Sequence, residues 1–164
     1  MAHGKHIYRV SVQWTGNKGS GTSGYREYGR DHLIRAGAKP DIPGSADPAF
    51  RGDAARWNPE DLLVAATSAC HKLWYLHLCA DAGVRVLSYM DDAVGAMADD
   101  PAGGRFTDIV LRPRVTIAAG GDAELAARLH HAAHEKCYIA NSVNFPIRCE
   151  PVIDIESAVE PAER

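Results

Sequence analysis

The sequence predicts an α+β fold, and three observations carry that prediction. An alternating strand-like segment lies near the N-terminus, a capped apolar helix follows the middle loop, and two further strand patterns precede a second capped helix. Runs of strands and helices that are segregated in this way, without a repeating βαβ rhythm, argue against a parallel sheet wound with helices.

Tyr8, Val10, Val12 and Trp14 have the period of a half-buried strand. Gly16 to Gly24 is a turn, and Tyr25 to Ala36 supplies one or two further strands around Gly29-Arg30-Asp31, which makes an N-terminal antiparallel meander. Gly37 to Trp57 is rich in Pro, Gly, Asp and Ala without a sustained period, and is expected to be a long packed connection rather than a domain linker. The expectation is a single domain over residues 1–164.

The central helix is the best specified element. Asn58 caps it, Pro59 suits the first helical position, and Glu60 and Asp61 complement the positive end of the helix dipole. From Leu62 to Cys79 the segment is apolar apart from Thr67, Ser68, His71, Lys72 and His77, as expected of a buried core helix. Gly83 is its stop. Val84 to Met97 and Arg105 to Ala118 read as the two strands of a β-hairpin joined by Asp99-Asp100-Pro101-Ala102-Gly103-Gly104. Asp122 caps a second helix running to about Cys137, and Val152-Ile153-Asp154-Ile155 is a final strand before a polar tail.

Composition narrows the function classes. The chain has 164 residues, 46% of them apolar and 24% charged, with a net charge of −3, so neither nucleic acid nor an anionic membrane is an expected partner and small molecules are. The start, Met1-Ala2-His3-Gly4-Lys5-His6, lacks an apolar signal segment, and the expected location is the cytoplasm. Cys70, Cys79, Cys137 and Cys149 are widely spaced without a CxxC pair, so a secreted disulfide framework is not expected; in a reducing compartment such thiols are catalytic, metal-binding or merely buried.

Gly19-Ser20-Gly21-Thr22-Ser23-Gly24 spells GxGxxG, but a strand pattern follows where a dinucleotide site needs a helix N-terminus, so it reads as a hairpin turn. His130, His134 and Cys137, four and three residues apart, stack on one helical face and are able to share a metal; no second half-site accompanies them, and no metal site is expected, with bound zinc as the observation that would revive the idea. Cys79 points about 180° from Cys70 on the same ideal helix and reads as packing. Cys149 has no neighbouring pattern and reads as an incidental thiol. Cys70 and Cys137 remain.

Asn58-Pro59-Glu60 with Cys70 ten residues beyond the glutamate, the upstream Gly29-Arg30-Asp31, and the downstream His134-Glu135-Lys136-Cys137 with Asn141-Ser142 together resemble the OsmC/Ohr family of thiol-dependent organic hydroperoxide reductases. The order of elements read above resembles that family too. The resemblance implies an OsmC-like fold in an intertwined homodimer, a peroxidase acting in oxidative or osmotic stress defence, and no metal or organic cofactor. It implies that Cys70 is the peroxidatic cysteine, Cys137 the resolving cysteine, Arg30 the arginine near the reactive thiol, and Glu60 the glutamate that pairs with that arginine. The implied substrate is an organic hydroperoxide, reduced to the alcohol, and the implied electron donor is a lipoyl-type or other dithiol.

General chemistry makes these roles intelligible. A guanidinium favours the thiolate, which is the nucleophile, and a carboxylate orients a guanidinium through a fork-shaped charge-assisted pair. A second thiol rescues the sulfenic acid from further oxidation. Ten helical residues separate Glu60 from Cys70 by about 15 Å and roughly 80°, so Arg30, a kink or a second subunit must bridge them. An apolar surface all round the helix also suggests cover by another subunit.

Two departures from the family pattern stand out. Tyr138 follows Cys137 in place of the usual proline, and His71-Lys72 follow Cys70 in place of small or apolar residues. Trp57, Trp74, Phe50 and Phe145 suit either a pocket wall or core. A non-enzymatic redox-sensing or small-molecule-binding homodimer of the same fold remains the rival to the peroxidase.

Overall fold

The structure, a computed structural model, describes residues 4–157; the first three residues of the N-terminal segment and most of the expected polar tail lie outside the described residues. The chain divides into two compact units, Met1–Leu62 and Leu63–Arg164.

The first unit holds a three-stranded antiparallel sheet in the order β1 (Ser11–Trp14), β2 (His32–Arg35), β3 (Ile42–Gly44). Tyr8 and Val10 fall outside β1: the ladder begins at Ser11 opposite Arg35, and residues before it have no partner strand. The expected strand over Tyr25–Ala36 shrinks to His32–Arg35, because the preceding segment is spent on turns. The Asn17 side-chain oxygen accepts from the backbone N–H of Gly19 at 2.8 Å and of Gly21 at 3.0 Å, and both glycines have positive φ. The Gly19–Gly24 motif is therefore a glycine-rich turn, as its context implied. The Gly37–Trp57 connection contains β3, a strand that its composition concealed; Pro43 is tolerated there because β3 lies at a sheet edge.

Helix α1 (Pro59–Asp81) starts as its sequence demands: Asn58 Oδ1 accepts the Asp61 N–H at 2.7 Å. At the far end Gly83 has a φ of +74°, and the Val84 N–H reaches back to the Cys79 carbonyl at 2.8 Å, a Schellman-type close. Only one line of the helix, Thr67, His71, Tyr75 and Cys79, is fully buried, whereas Ala65, Ala66, Ala69 and Leu73 are exposed. The helix expected to be buried on every side thus keeps an apolar face open in the single chain.

The expected two-strand hairpin is a nested pair. β4 (Val86–Asp91) pairs antiparallel with β7 (Pro113–Ile117), and β5 (Val94–Ala98) with β6 (Arg105–Leu111) across the predicted turn. The two long strands break at Asp92-Ala93 and at Arg112. Asp91 organises both breaks, since its Oδ1 accepts the Arg112 N–H at 2.7 Å and its Oδ2 accepts from the Ser68 hydroxyl at 2.5 Å. Helix α2 (Ala123–Lys136) is capped by Asp122, whose Oδ1 accepts the Leu125 N–H at 2.9 Å. β8 (Ile147–Cys149) pairs parallel with β6, and β9 (Val152–Ile155) parallel with β7. β8 was not expected: three residues are too few to display a period.

The core of this second unit is made by Tyr75 and Cys79 from α1, Val84 from the turn after it, Val115 and Ile117 from β7, and Ala126 and Ala133 from α2. Alanines at the α2 contact allow the helix to lie close to the aromatic and β-branched side chains of its neighbours.

Candidate active site

Cys70 sits at mid-length on α1 and is half-buried; Cys137 caps the C-terminus of α2 and is buried. The Cys70 thiol neighbours that of Cys137 and is among the groups that raise it, and all four cysteines are free. Residues separated by 67 positions are thus brought together because α1 and α2 share one core. Burial pushes the Cys137 thiol up to about 11, opposed by the Ala140 and Ile139 N–H groups at its sulfur; the first of these donates at 3.4 Å. Cys137 is therefore a protonated thiol at neutral pH, beside a more accessible partner.

Aromatic residues flank this pair. Trp74 lies one turn beyond Cys70 on α1 and meets Tyr138 edge-on, with ring centroids 5.9 Å apart and planes at 90°. Lys136 Nζ stands 5.6 Å from the Trp74 ring centroid. The Tyr138 departure thus gives the α2 terminus an aromatic contact with α1, which a proline would not provide. Phe145 stacks on Phe106 instead, and Phe50 and Trp57 belong to the first unit.

Arg30 belongs to the first unit, where its Nη1 donates to the Tyr28 carbonyl at 2.7 Å and its Nη2 to the Tyr25 carbonyl at 2.9 Å. Its guanidinium also lies between the rings of the same two tyrosines, 4.4 Å from the Tyr25 centroid and 4.1 Å from that of Tyr28. The fork expected to engage Glu60 is occupied by backbone carbonyls. Glu60 Oε2, on the first turn of α1, is buried without a hydrogen-bond partner. Of the four residues expected to form the site, the two thiols are neighbours, whereas Arg30 and Glu60 make no ion pair with one another.

Sequence reading missed the surroundings of the residue after the nucleophile candidate. His71 is buried, its Nε2 is 3.0 Å from His130 Nδ1, and the Cys149 sulfur lies 3.6 Å from the former and 3.8 Å from the latter. His130 turns to this cluster rather than joining His134 and Cys137. A helical projection placing His71 on the line of Thr67, Tyr75 and Cys79 would have shown a polar ring aimed into the core; nothing local announces Cys149.

The fold and the thiol pair define a dithiol α+β protein. Residues 52–151 match the OsmC-like protein family. An OsmC-like protein of unknown function from Vibrio cholerae is 32% identical with a TM-score of 0.82, the alignment covering 90% of this chain and 100% of that one. This chain belongs to the OsmC-like protein family. An organic hydroperoxide resistance protein from Elizabethkingia anophelis shares the fold at 17% identity and a TM-score of 0.65, covering 93% of this chain and 99% of that one. Another from Legionella pneumophila does so at 16% identity and a TM-score of 0.63, covering 92% and 99%. No curated protein matches the chain.

Proposed function

We propose that the protein is a thiol-dependent peroxidase that reduces organic hydroperoxides to alcohols in defence against oxidative or osmotic stress, with Cys70 as nucleophile and Cys137 as resolving thiol. The observation that carries this reading is the proximity of a half-buried thiol to a buried one. Membership of the OsmC-like family and likeness to organic hydroperoxide resistance proteins support the choice of substrate class.

In the proposed reaction the Cys70 thiolate attacks the terminal oxygen of ROOH, the O–O bond breaks, and the alkoxide leaves as ROH after taking a proton. Cys70 is then a sulfenic acid. The Cys137 sulfur attacks it, water leaves, and the disulfide formed is reduced by an external dithiol, of lipoyl or similar type. The buried resolving thiol is protected from direct oxidation until the neighbouring sulfur is oxidised. Arg30 is assigned to favouring the Cys70 thiolate and Glu60 to orienting Arg30, on the resemblance of their motifs.

A homodimer is part of this proposal. The first unit leaves Tyr8, Val10 and Val12 exposed, and α1 leaves Leu73 64% exposed above Ala65 and Ala69, more apolar surface than a solitary chain needs to show. A reducing cytoplasm suits four free thiols. Among the described residues no helix is long and apolar enough to cross a membrane.

The occupation of the Arg30 fork by the Tyr25 and Tyr28 carbonyls favours a second reading, a redox sensor of the same fold whose Cys70 is oxidised without rapid turnover. Consumption of cumene hydroperoxide and of hydrogen peroxide with a dithiol reductant decides between them. Sustained turnover that prefers cumene hydroperoxide and vanishes in Cys70→Ser is expected; stoichiometric oxidation without turnover establishes the sensor, and unchanged turnover in Cys70→Ser removes Cys70 from the chemistry.

A further inference from the structure

We propose that His71, His130 and Cys149 form a metal site, separate from the Cys70–Cys137 pair, that takes a borderline divalent cation of the zinc type through His71 Nε2, His130 Nδ1 and Cys149 Sγ. The three donor atoms come from α1, α2 and the end of β8, and all lie within 4.8 Å of one another.

Their spacing matches the cation. Tetrahedral zinc with nitrogen at 2.0–2.1 Å and sulfur at about 2.3 Å separates nitrogen pairs by about 3.3 Å and nitrogen–sulfur pairs by about 3.6 Å. The distances here are 3.0 Å for the nitrogen pair and 3.6 and 3.8 Å from the sulfur. The two rings, parallel within 6° and with centroids 5.3 Å apart, face each other through these nitrogens and must turn to aim both at one ion, which leaves the fourth tetrahedral position for water.

The two imidazoles are also in the state that a cation needs, whereas the Cys149 thiol must lose its proton on binding. Burial holds both imidazoles neutral, lowering His71 to about 4 and His130 to about 3. His71 Nδ1 and His130 Nε2, the two nitrogens that do not face the site, are buried without hydrogen-bond partners. Burial, and then the negative charges of Asp91 and Glu150, oppose a bare thiolate at Cys149 and raise it to about 12. The same two carboxylates favour a cation there. Binding exchanges the thiol proton for the metal, Cys–SH + M²⁺ → Cys–S–M⁺ + H⁺, with no change of oxidation state.

The tie is to architecture: one ion joins the two helices to the strand that pairs with β6, next to the thiol pair because His71 follows Cys70. The soft sulfur and the two imidazoles exclude magnesium and calcium, which require oxygen.

The test is titration of reduced, chelator-stripped wild-type protein with Co²⁺ and then Zn²⁺. One tetrahedral Co²⁺ per chain with a thiolate-to-cobalt charge-transfer band, displaced by Zn²⁺, is expected. That band is lost in Cys149→Ser, and affinity falls by more than about tenfold in His130→Gln, since losing a ligand costs at least what losing an outer partner does. Cys70→Ser, Cys137→Ser and His134→Gln retain it. X-ray absorption of the wild-type zinc complex, which depends on no variant folding, is expected to show one sulfur and two imidazole nitrogens. A shell with two sulfurs or none, loss of the band in Cys137→Ser or His134→Gln, or a folded wild-type protein that binds no Co²⁺ overturns the proposal.

Discussion

Cys70 on α1 and Cys137 at the C-terminus of α2 are neighbours, and Cys137 is the buried member of the pair. In the proposed peroxidase this asymmetry gives two chemically identical groups separate jobs. Cys70→Ser is expected to abolish dithiol-dependent reduction of cumene hydroperoxide. Cys137→Ser is expected to complete one turnover and then accumulate sulfinic acid at Cys70, seen as a mass gain of two oxygens. Multiple turnovers by Cys137→Ser with unchanged rate would show that the second thiol is a bystander.

Arg30 offers a second check. Lysine keeps the positive charge but loses the fork and the planar stacking between Tyr25 and Tyr28. Arg30→Lys is expected to lower kcat/KM for the hydroperoxide about tenfold, the scale of one charge-assisted hydrogen bond, and to slow alkylation of Cys70 by iodoacetamide at pH 7. Loss of thermal stability with both rates unchanged would make Arg30 a strut of its turn.

Burial of Cys137 links folding to alkali. Its folded-state pKa, about 11, lies above the 9.0 of an ordinary thiol. The folded protein therefore holds the proton more tightly than the unfolded chain. The contribution is full below pH 9 and is lost as pH rises through about 11. Urea midpoints measured from pH 8 to 11 should fall, and fall less steeply in Cys137→Ala; parallel slopes would detach the effect from this thiol.

Leu73 tests the assembly. It is 64% exposed on the apolar face of α1, and a carboxylate in an apolar contact is strongly disfavoured. Wild type is expected to sediment as a dimer at micromolar concentration, and Leu73→Glu to shift towards monomer with the helical signal retained. A monomeric wild type would contradict the homodimer.

The core of the second unit makes a plain stability prediction. Ile117 is fully buried between α1 and α2 residues, so Ile117→Ala is expected to cost about 2–5 kcal/mol in denaturant unfolding. A loss below about 1 kcal/mol would mean that the site collapses onto the missing methyls.

Legibility followed the range of the interactions. Asn58, Asp122 and Gly83 announced the helix ends because caps are satisfied within four residues of chain, and the structure places both helices where those signals put them. The Asp99–Gly104 turn was readable for the same reason. β3 and β8, three residues each, were not, since a ladder is defined by a partner elsewhere in the chain. The division of the expected hairpin also escaped, because Asp91 breaks it through bonds to Ser68 and Arg112, 23 and 21 positions away.

By itself the sequence determined the two capped helices, the α+β class and the candidate thiols Cys70 and Cys137, all of which depend on residue type and short spacing. Only the tertiary structure decided that those thiols are neighbours, that the guanidinium of Arg30 engages its own turn, and that Cys149, unremarkable in sequence, faces two buried histidines. The physical reason is that side-chain chemistry acts over three or four ångströms, and when distant segments pack around one core, only the packing sets which groups come that close.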